Sequence, residues 1–183
     1  MTNAETFSII DFGSSKLRLG VFDKYLPNSK YIQEESYKDK KTINANLKSL
    51  VLKTEKEINQ HLKVVDIMLD NPKSFSVDLS IKKKIDNNLI DEKLTKHIIQ
   101  DAKSIIEDNY NSFNIIHLIV SNSNLDGKFY ENLPMNLIGN DLTLEIKFIL
   151  LPKKIIRSIK ELFKNNQITV KNFYNSSYLK SLN

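Results

Sequence analysis

The sequence predicts a mixed fold of the α/β type, with α+β character, in which strands and helices alternate along the chain. Two patterns support this class. One segment has an apolar residue at every second position, the period of a β-strand, namely Leu142, Leu144, Ile146, Phe148 and Leu150. Another segment, from Lys153 to Lys164, spaces its apolar residues as an α-helix does. The apolar share of 40% is enough to bury a core.

The first part of the chain predicts three strands joined by tight turns, then a helix and a fourth strand. Apolar runs and period-two alternation place the three strands at residues 7–11, 17–22 and 31–37. A helix from Asn46 to Leu62 follows, and its apolar residues share one face. The run from Val64 to Leu69 then returns as a strand.

The character of the sequence changes near Pro72. Residues 75–81 predict a half-solvated strand, and Asp126-Gly127 predicts a turn between the strands at 115–120 and 142–150. The strand at 142–150 is a candidate sheet edge for strand addition by a partner, with core packing as the alternative. A final strand at 168–173 leads into residues 176–182, which resemble the start of a helix.

A second helix is predicted between these strands, from Asp91 to Asp108. The acids Asp91 and Glu92 lie in its first turn, where the helix dipole favours negative charge. That position explains the two acids without a catalytic carboxylate pair. The predicted inward-facing residues are Leu94, Ile98, Ala102, Ile105 and Ile106.

Composition excludes several classes of function. The net charge of +5 comes almost entirely from lysines interleaved with acids, and the only arginines are Arg18 and Arg157, so we expect no nucleic-acid partner. The absence of cysteine excludes disulfides and thiolate zinc sites. His61, His97 and His117 lack the spacing of metal ligands. No apolar run reaches the roughly 20 residues that cross a bilayer, and the N-terminus lacks the pattern of a signal peptide, so we expect a cytoplasmic protein.

One segment carries candidate chemistry: Asp11-Phe12-Gly13-Ser14-Ser15-Lys16, set between the first two strands. Small residues at such a bend allow backbone N–H groups to approach a phosphate group, and Lys16 adds a positive charge. Asp11 is suited to holding Mg²⁺ through its water shell. The alternative is a hairpin in which Gly13, Ser14 and Ser15 only satisfy turn geometry. The segment is not a Walker loop, because it lacks the second glycine and the following helix.

Several segments, taken in order, resemble a known family. Asp11 to Val21 resembles the first phosphate motif of the actin, Hsp70 and sugar-kinase superfamily. The rest of the chain resembles FtsA, a bacterial cell-division protein of that superfamily. The segments that carry the resemblance are the strand at 64–69, the helix at 89–104, the strand at 115–119, the passage Leu125-Asp126-Gly127 with Asn132, Pro134, Met135, Gly139 and Leu142, the helix and strand at 155–170, and Tyr174 to Leu182.

The resemblance implies a fold and a division into subdomains. Residues 1–71 and 152–183 would form an incomplete actin-like, ribonuclease-H-like subdomain, and residues 72–151 an inserted subdomain of the SHS2 type. The family also has a second actin-like domain, with a second phosphate loop, an adenosine pocket and the FtsZ contact, and a C-terminal amphipathic helix that reaches the membrane. We expect that this chain is the front portion of such a protein and lacks those parts.

The resemblance also implies a function. The intact family binds ATP and Mg²⁺, self-associates, and links the FtsZ ring to the cytoplasmic face of the membrane and to later division proteins, with filament contacts through the inserted subdomain. Asp11, Gly13, Ser14, Ser15 and Lys16 would contact the phosphates, and Asp11 the Mg²⁺ through water. A nucleotide held from one side stays exposed to water, which weakens each charge interaction. We therefore expect weak ATP binding at best and no hydrolysis by this chain alone.

Two other interpretations remain open. One is a free-standing adaptor of the SHS2 type, related to the PilM-like actin-like proteins of pilus assembly, which binds protein partners without nucleotide. The other is the front of a sugar kinase or Hsp70-type ATPase, against which the insertion argues.

Overall fold

The computed structural model describes residues 6–13, 15–25, 29–37 and 42–180. The chain divides into two compact units: Met1–Pro72 with Lys154–Asn183, and Lys73–Lys153. The elements in chain order are β1 (Thr6–Phe12), β2 (Lys16–Asp23), β3 (Ser29–Ser36), α1 (Ile43–Ile58), β4 (Val64–Leu69), β5 (Phe75–Leu89), α2 (Glu92–Asn109), β6 (Phe113–Leu125), β7 (Lys128–Tyr130), β8 (Ile138–Pro152), α3 (Lys153–Lys164), β9 (Thr169–Asn175) and α4 (Ser176–Lys180).

The first unit contains a five-stranded sheet of order β3-β2-β1-β4-β9. The first three strands form the predicted antiparallel meander, whereas β4 runs parallel to β1 and β9 runs parallel to β4. Parallel neighbours need a crossover, which α1 supplies before β4 and α3 supplies before β9. The carboxyl ends of β1, β4 and β9 therefore lie at the same edge of the sheet.

The core of the first unit lies on one face of this sheet. Ile10 is paired with Leu19 on one side and Ile67 on the other, and none of the three side chains is exposed. The helix α1 lies against β2 and β3 and buries Leu47 and Leu50. The buried alternate residues of the strands thus pack against the buried face of α1 and form one layer of apolar side chains.

The helix α1 and the strand β9 of the first unit differ in their bounds from the prediction. The helix α1 covers Ile43–Ile58 rather than 46–62, because Asn59 adopts a left-handed conformation (φ 52°) that ends it. Leu62 is still buried, but from the loop that follows. The strand β9 continues to Asn175, beyond the predicted end at Phe173, whereas α3 has the predicted bounds.

The second unit is a four-stranded antiparallel sheet of order β5-β8-β6-β7 with α2 packed on one face. The strand β8 lies in the middle, paired with β5 along one side and with β6 along the other. The suggestion that residues 142–150 form a sheet edge is therefore wrong. The alternation at 142–150 reflects core packing, since its alternate residues face α2 and are buried.

Other elements of the second unit are longer than predicted. The strand β5 continues through a polar stretch to Leu89, past an irregularity between Lys84 and Asn88. The strand β6 covers Phe113–Leu125 rather than 115–120, and the short strand β7, which was not predicted, follows it. The turn at Asp126-Gly127 is confirmed, with φ angles of 51° and 89°.

The helix α2 begins one residue later than predicted, because Asp91 caps it. The Asp91 carboxylate accepts a hydrogen bond from the Leu94 N–H at 2.7 Å. Ile98, Ala102 and Ile106 face inward as predicted. Ile105 does not, since 42% of it is exposed.

Candidate functional site

The β1–β2 hairpin contains the predicted phosphate-binding residues. Gly13 donates its N–H to the Lys16 carbonyl oxygen at 3.0 Å, which closes the turn. A Cβ atom at Gly13 would lie 3.0 Å from that same oxygen, so the turn favours glycine here. Ser15 is exposed, and Ser14 lies outside the described residues. Gly13 therefore serves turn geometry, and Ser15 is open to approach.

Tyr37, which follows β3, fixes the hairpin from the side. Its N–H donates to the Ser15 carbonyl oxygen at 2.8 Å. Its hydroxyl donates to the Gly13 carbonyl oxygen, and burial raises the pKa of this phenol. The Gly13 and Ser15 carbonyls are thus both anchored to Tyr37, a residue that the sequence did not connect with the hairpin.

Four charged side chains form a ladder across β1, β2 and β3. Arg18 stands opposite Asp11 on one side and Glu34 on the other. Its guanidinium donates to the Asp11 carboxylate at 3.0 Å and to Glu34 at 3.3 Å, and Lys16 donates to Glu34 at 2.8 Å. Cross-strand neighbours of opposite charge stabilise one another in this way. We call Asp11, Lys16, Arg18 and Glu34 the charge ladder.

The charge ladder shifts the pKa of two of its members, Glu34 and Arg18. The hydrogen bond from Lys16, followed by that from Arg18, lowers the pKa of Glu34 below its ordinary value. The hydrogen bond to Asp11, followed by that to Glu34, raises the pKa of Arg18. Glu34 therefore keeps its negative charge beside Lys16, and it competes with any phosphate that approaches this lysine.

Asp11 presents a single carboxylate near the end of β1 and is not part of a closed metal cage among the described residues. Its side chain is 23% exposed, and within the described residues Arg18 holds its Oδ2 atom. No group of three or more His, Asp or Glu side chains in the described parts of the chain is arranged to hold a metal ion. One carboxylate is nonetheless consistent with Mg²⁺, which commonly keeps several waters and takes its other ligands from substrate phosphates.

The carboxyl edge of the sheet carries a second carboxylate. Phe12 pairs with Leu69, so Asp70 follows β4 beside Gly13 of the hairpin. On its other side Leu69 pairs with Asn175, and Ser177 donates its hydroxyl to Asp70 at 2.7 Å. Asp70 was not among the candidate residues predicted from the sequence, although its position directly after a strand, like that of Asp11 near the end of β1, was a usable signal.

The three histidines lie in three different segments of the chain. His61 follows α1 and lies 3.3 Å from Glu55, His97 is in α2, and His117 is in β6. Burial lowers the pKa of His117. In the described residues, no helix is both long and apolar enough to cross a membrane.

The chain matches no protein-family model and no curated protein. It is similar to a solved structure of the PilM-PilN type IV pilus biogenesis complex, with a TM-score of 0.60 and 10% identity over 96% of this chain and 48% of that chain. It is also similar to a Bacteroides thetaiotaomicron protein with an actin-like ATPase fold and unknown function, with 14% identity over 98% of this chain and 56% of that chain. That superposition has a TM-score of only 0.43, too low to support a conclusion.

The first match shows a shared fold over nearly all of this chain, which spans about half the length of the chain it matches. PilM-like proteins are the pilus-assembly branch of the actin-like group named above. The predicted class, a mixed α/β chain with an actin-like fold, is therefore confirmed. The FtsA branch and the SHS2 type of the second unit stay predictions.

Proposed function

We propose that this chain is one half of an FtsA-like, nucleotide-binding clamp. The intact protein would bind ATP with Mg²⁺, self-associate and link an FtsZ ring to the cytoplasmic face of the membrane and to later division proteins. The observation that carries the proposal is the position of the β1–β2 hairpin, at the carboxyl edge of the parallel strands β1, β4 and β9. Ligands of open α/β sheets bind at that edge.

The hairpin residues have separate roles in this proposal. Ser15 and Lys16 approach the phosphate oxygens, and Lys16 exchanges its contact with Glu34 for one with phosphate. The Oδ1 atom of Asp11 accepts a hydrogen bond from a water molecule of Mg²⁺, while Arg18 keeps Oδ2 in place. Because the Gly13 N–H donates its hydrogen bond within the turn, Gly13 shapes the turn and does not donate to the phosphate.

Titration with a fluorescent ATP analogue in the presence of Mg²⁺ tests this site. Lys16→Ala and Asp11→Ala should each weaken binding about three- to tenfold, the effect of losing one solvated charge contact. Glu34→Gln should instead strengthen binding about two- to fivefold, because it releases Lys16 and Arg18 from a competing carboxylate. Lys160→Ala, an exposed lysine of α3, controls for net charge.

The sign of the Glu34 effect separates the proposed site from a plain turn. If the hairpin is only a turn, removing Glu34 cannot improve nucleotide binding. Equal affinities in all four variants would refute a phosphate site at residues 11–16. Hydrolysis is not expected in any of them, since the second half of the clamp would have to exclude water.

The second candidate is a PilM-like adaptor that binds a protein partner without nucleotide. The fold match to a structure of the PilM-PilN complex is compatible with it, but at 10% identity that match favours neither candidate over the other. Mg²⁺-dependent nucleotide binding that changes as expected in the Lys16, Asp11 and Glu34 variants would favour the clamp. Its absence, together with an intact fold by circular dichroism, would favour the adaptor.

A further inference from the structure

The strand β6 has an open edge over most of its length. β8 pairs with it from Phe113 to Leu125 on one side, whereas β7 pairs only with residues 123–125 on the other. Across the described part of the chain, no strand covers the outer edge from Phe113 to Asn122. An uncovered edge presents a row of N–H and C=O groups to any extended chain that approaches.

The residues at this edge are apolar beyond what an ordinary edge strand requires. The run Ile115-Ile116-His117-Leu118-Ile119-Val120 contains five aliphatic residues, and each of the six residues is half-buried rather than alternating between buried and exposed. The neighbouring β8 alternates from Leu142 to Phe148. A run that is apolar on both faces is typical of a strand covered on all sides. The side chains of β6 are therefore more apolar than the cover given by the second unit explains.

A groove runs beside this edge. It has a volume of about 560 Å³, and Lys103 and Glu107 of α2 line it together with Ile116 and Leu118 of β6 and with Lys153. A groove between a helix and an open strand suits an extended peptide, whose backbone pairs with the strand while alternate side chains enter the groove.

The charges of the groove indicate its occupant. Lys103 and Lys153 form no ion pair with another described residue, and Glu107 is the one acid of the lining. A second copy of this chain, paired edge to edge, would bring the same two lysines of each copy together. An acidic segment is complementary to the pair instead.

We propose that the β6 edge and the α2 groove form a docking site for an extended segment of another protein, with apolar residues at every second position and at least one acidic residue. The segment adds as a strand beside β6. The stretch from His117 to Val120 keeps an unbroken register with β8 and forms the centre of the pairing, since irregularities flank it on both sides. The site lies within the second unit and does not depend on nucleotide binding at the β1–β2 hairpin.

Panning a library of random 12-residue peptides against the full chain tests the site. Selected peptides should alternate apolar residues and carry Asp or Glu. Hydrogen exchange with a synthetic copy of a selected peptide should show slower exchange of the amides of residues 113–122. Lys103→Glu should weaken binding of that peptide about tenfold or more, whereas Lys93→Glu, the same change on an exposed position of α2 outside the groove, should not.

Three results would overturn the proposal: no enriched pattern, protection by the peptide outside residues 113–122, or equal effects of the two charge reversals. Sedimentation of the chain alone tests the alternative occupant, a second copy of this chain. A dimer whose β6 amides are protected would assign the edge to self-association and overturn the peptide site.

Discussion

The middle position of β8 can be tested with one substitution, Phe148→Ala. The Phe148 side chain is fully buried, between its cross-strand neighbours Val77 and Leu118 and beneath α2. A buried phenylalanine removes about 150 to 250 Å² from water, and truncation to alanine also leaves a cavity, so the free energy of unfolding should fall by about 3 to 5 kcal/mol. With a urea m-value of about 1 to 3 kcal/mol per M, the unfolding midpoint should drop by at least about 1 M.

Phe129→Ala is a matched control, since it is the same change in the same sheet. Phe129 lies in β7 and is 78% exposed, so its loss should change the free energy of unfolding by no more than about 0.5 kcal/mol. Urea unfolding followed by circular dichroism measures both variants, and hydrogen exchange of α2 amides reports the second unit alone. Equal shifts for the two variants would refute the position of β8 between β5 and β6.

Three further predictions concern single residues of the second unit. Gly139→Ala should lower the unfolding midpoint in a urea titration, because its Cβ would lie 2.3 Å from a Leu125 side-chain carbon. Such overpacking costs about 1 to 3 kcal/mol of the free energy of unfolding. Asp91→Ala should lower the free energy of unfolding by about 1 kcal/mol, since it removes the N-cap hydrogen bond of α2, and should speed amide exchange in its first turn. His117 should make the protein less stable as the pH falls below about 6.5, since burial depresses its folded pKa and the unfolded chain binds the proton first. His117→Gln should remove that part of the pH dependence in thermal melts between pH 7.5 and 5.5.

Neighbouring positions provide controls for the first two of these predictions. Asn140→Ala is the control for Gly139→Ala. Asn140 is exposed and the substitution only shortens its side chain, so no new contact forms and the urea unfolding midpoint should hardly change. Asp108→Ala removes an acid near the carboxyl end of α2, where the helix dipole disfavours it, so stability should stay level or rise slightly. A loss at Asp108 as large as at Asp91 would argue against the cap.

Sequence patterns predicted the elements whose burial follows one period. The bounds of α3 and the alternation in β8 follow from local spacing, and the structure has both. The end of α1 did not follow, because Leu62 continues the apolar spacing while a left-handed Asn59 has already ended the helix. The second half of β5 is almost entirely polar, and pairing with β8 rather than its own pattern makes it a strand.

The candidate site likewise has one feature that the sequence predicted and one that it did not. The Gly-Ser bend after Asp11 is a local feature and was visible in the sequence. The charge ladder was not, because Glu34 meets Lys16 and Arg18 only through the register of β2 with β3. The position of β8 was misjudged for a related reason: alternation shows which face of a strand is buried, but says nothing of what lies at its two edges.

The second unit has the geometry that an insertion requires. The chain enters it just before β5 and leaves at the end of β8, and these ends are neighbours: Phe75 pairs with Leu150, and Ser74 donates its hydroxyl to the Leu150 carbonyl oxygen at 3.0 Å. Lys153 then donates its N–H to the Ser112 carbonyl oxygen at 2.9 Å, which fixes the exit as well. A unit whose two ends are adjacent and whose core is its own can be placed between β4 and α3 without altering the crossover from β4 to β9.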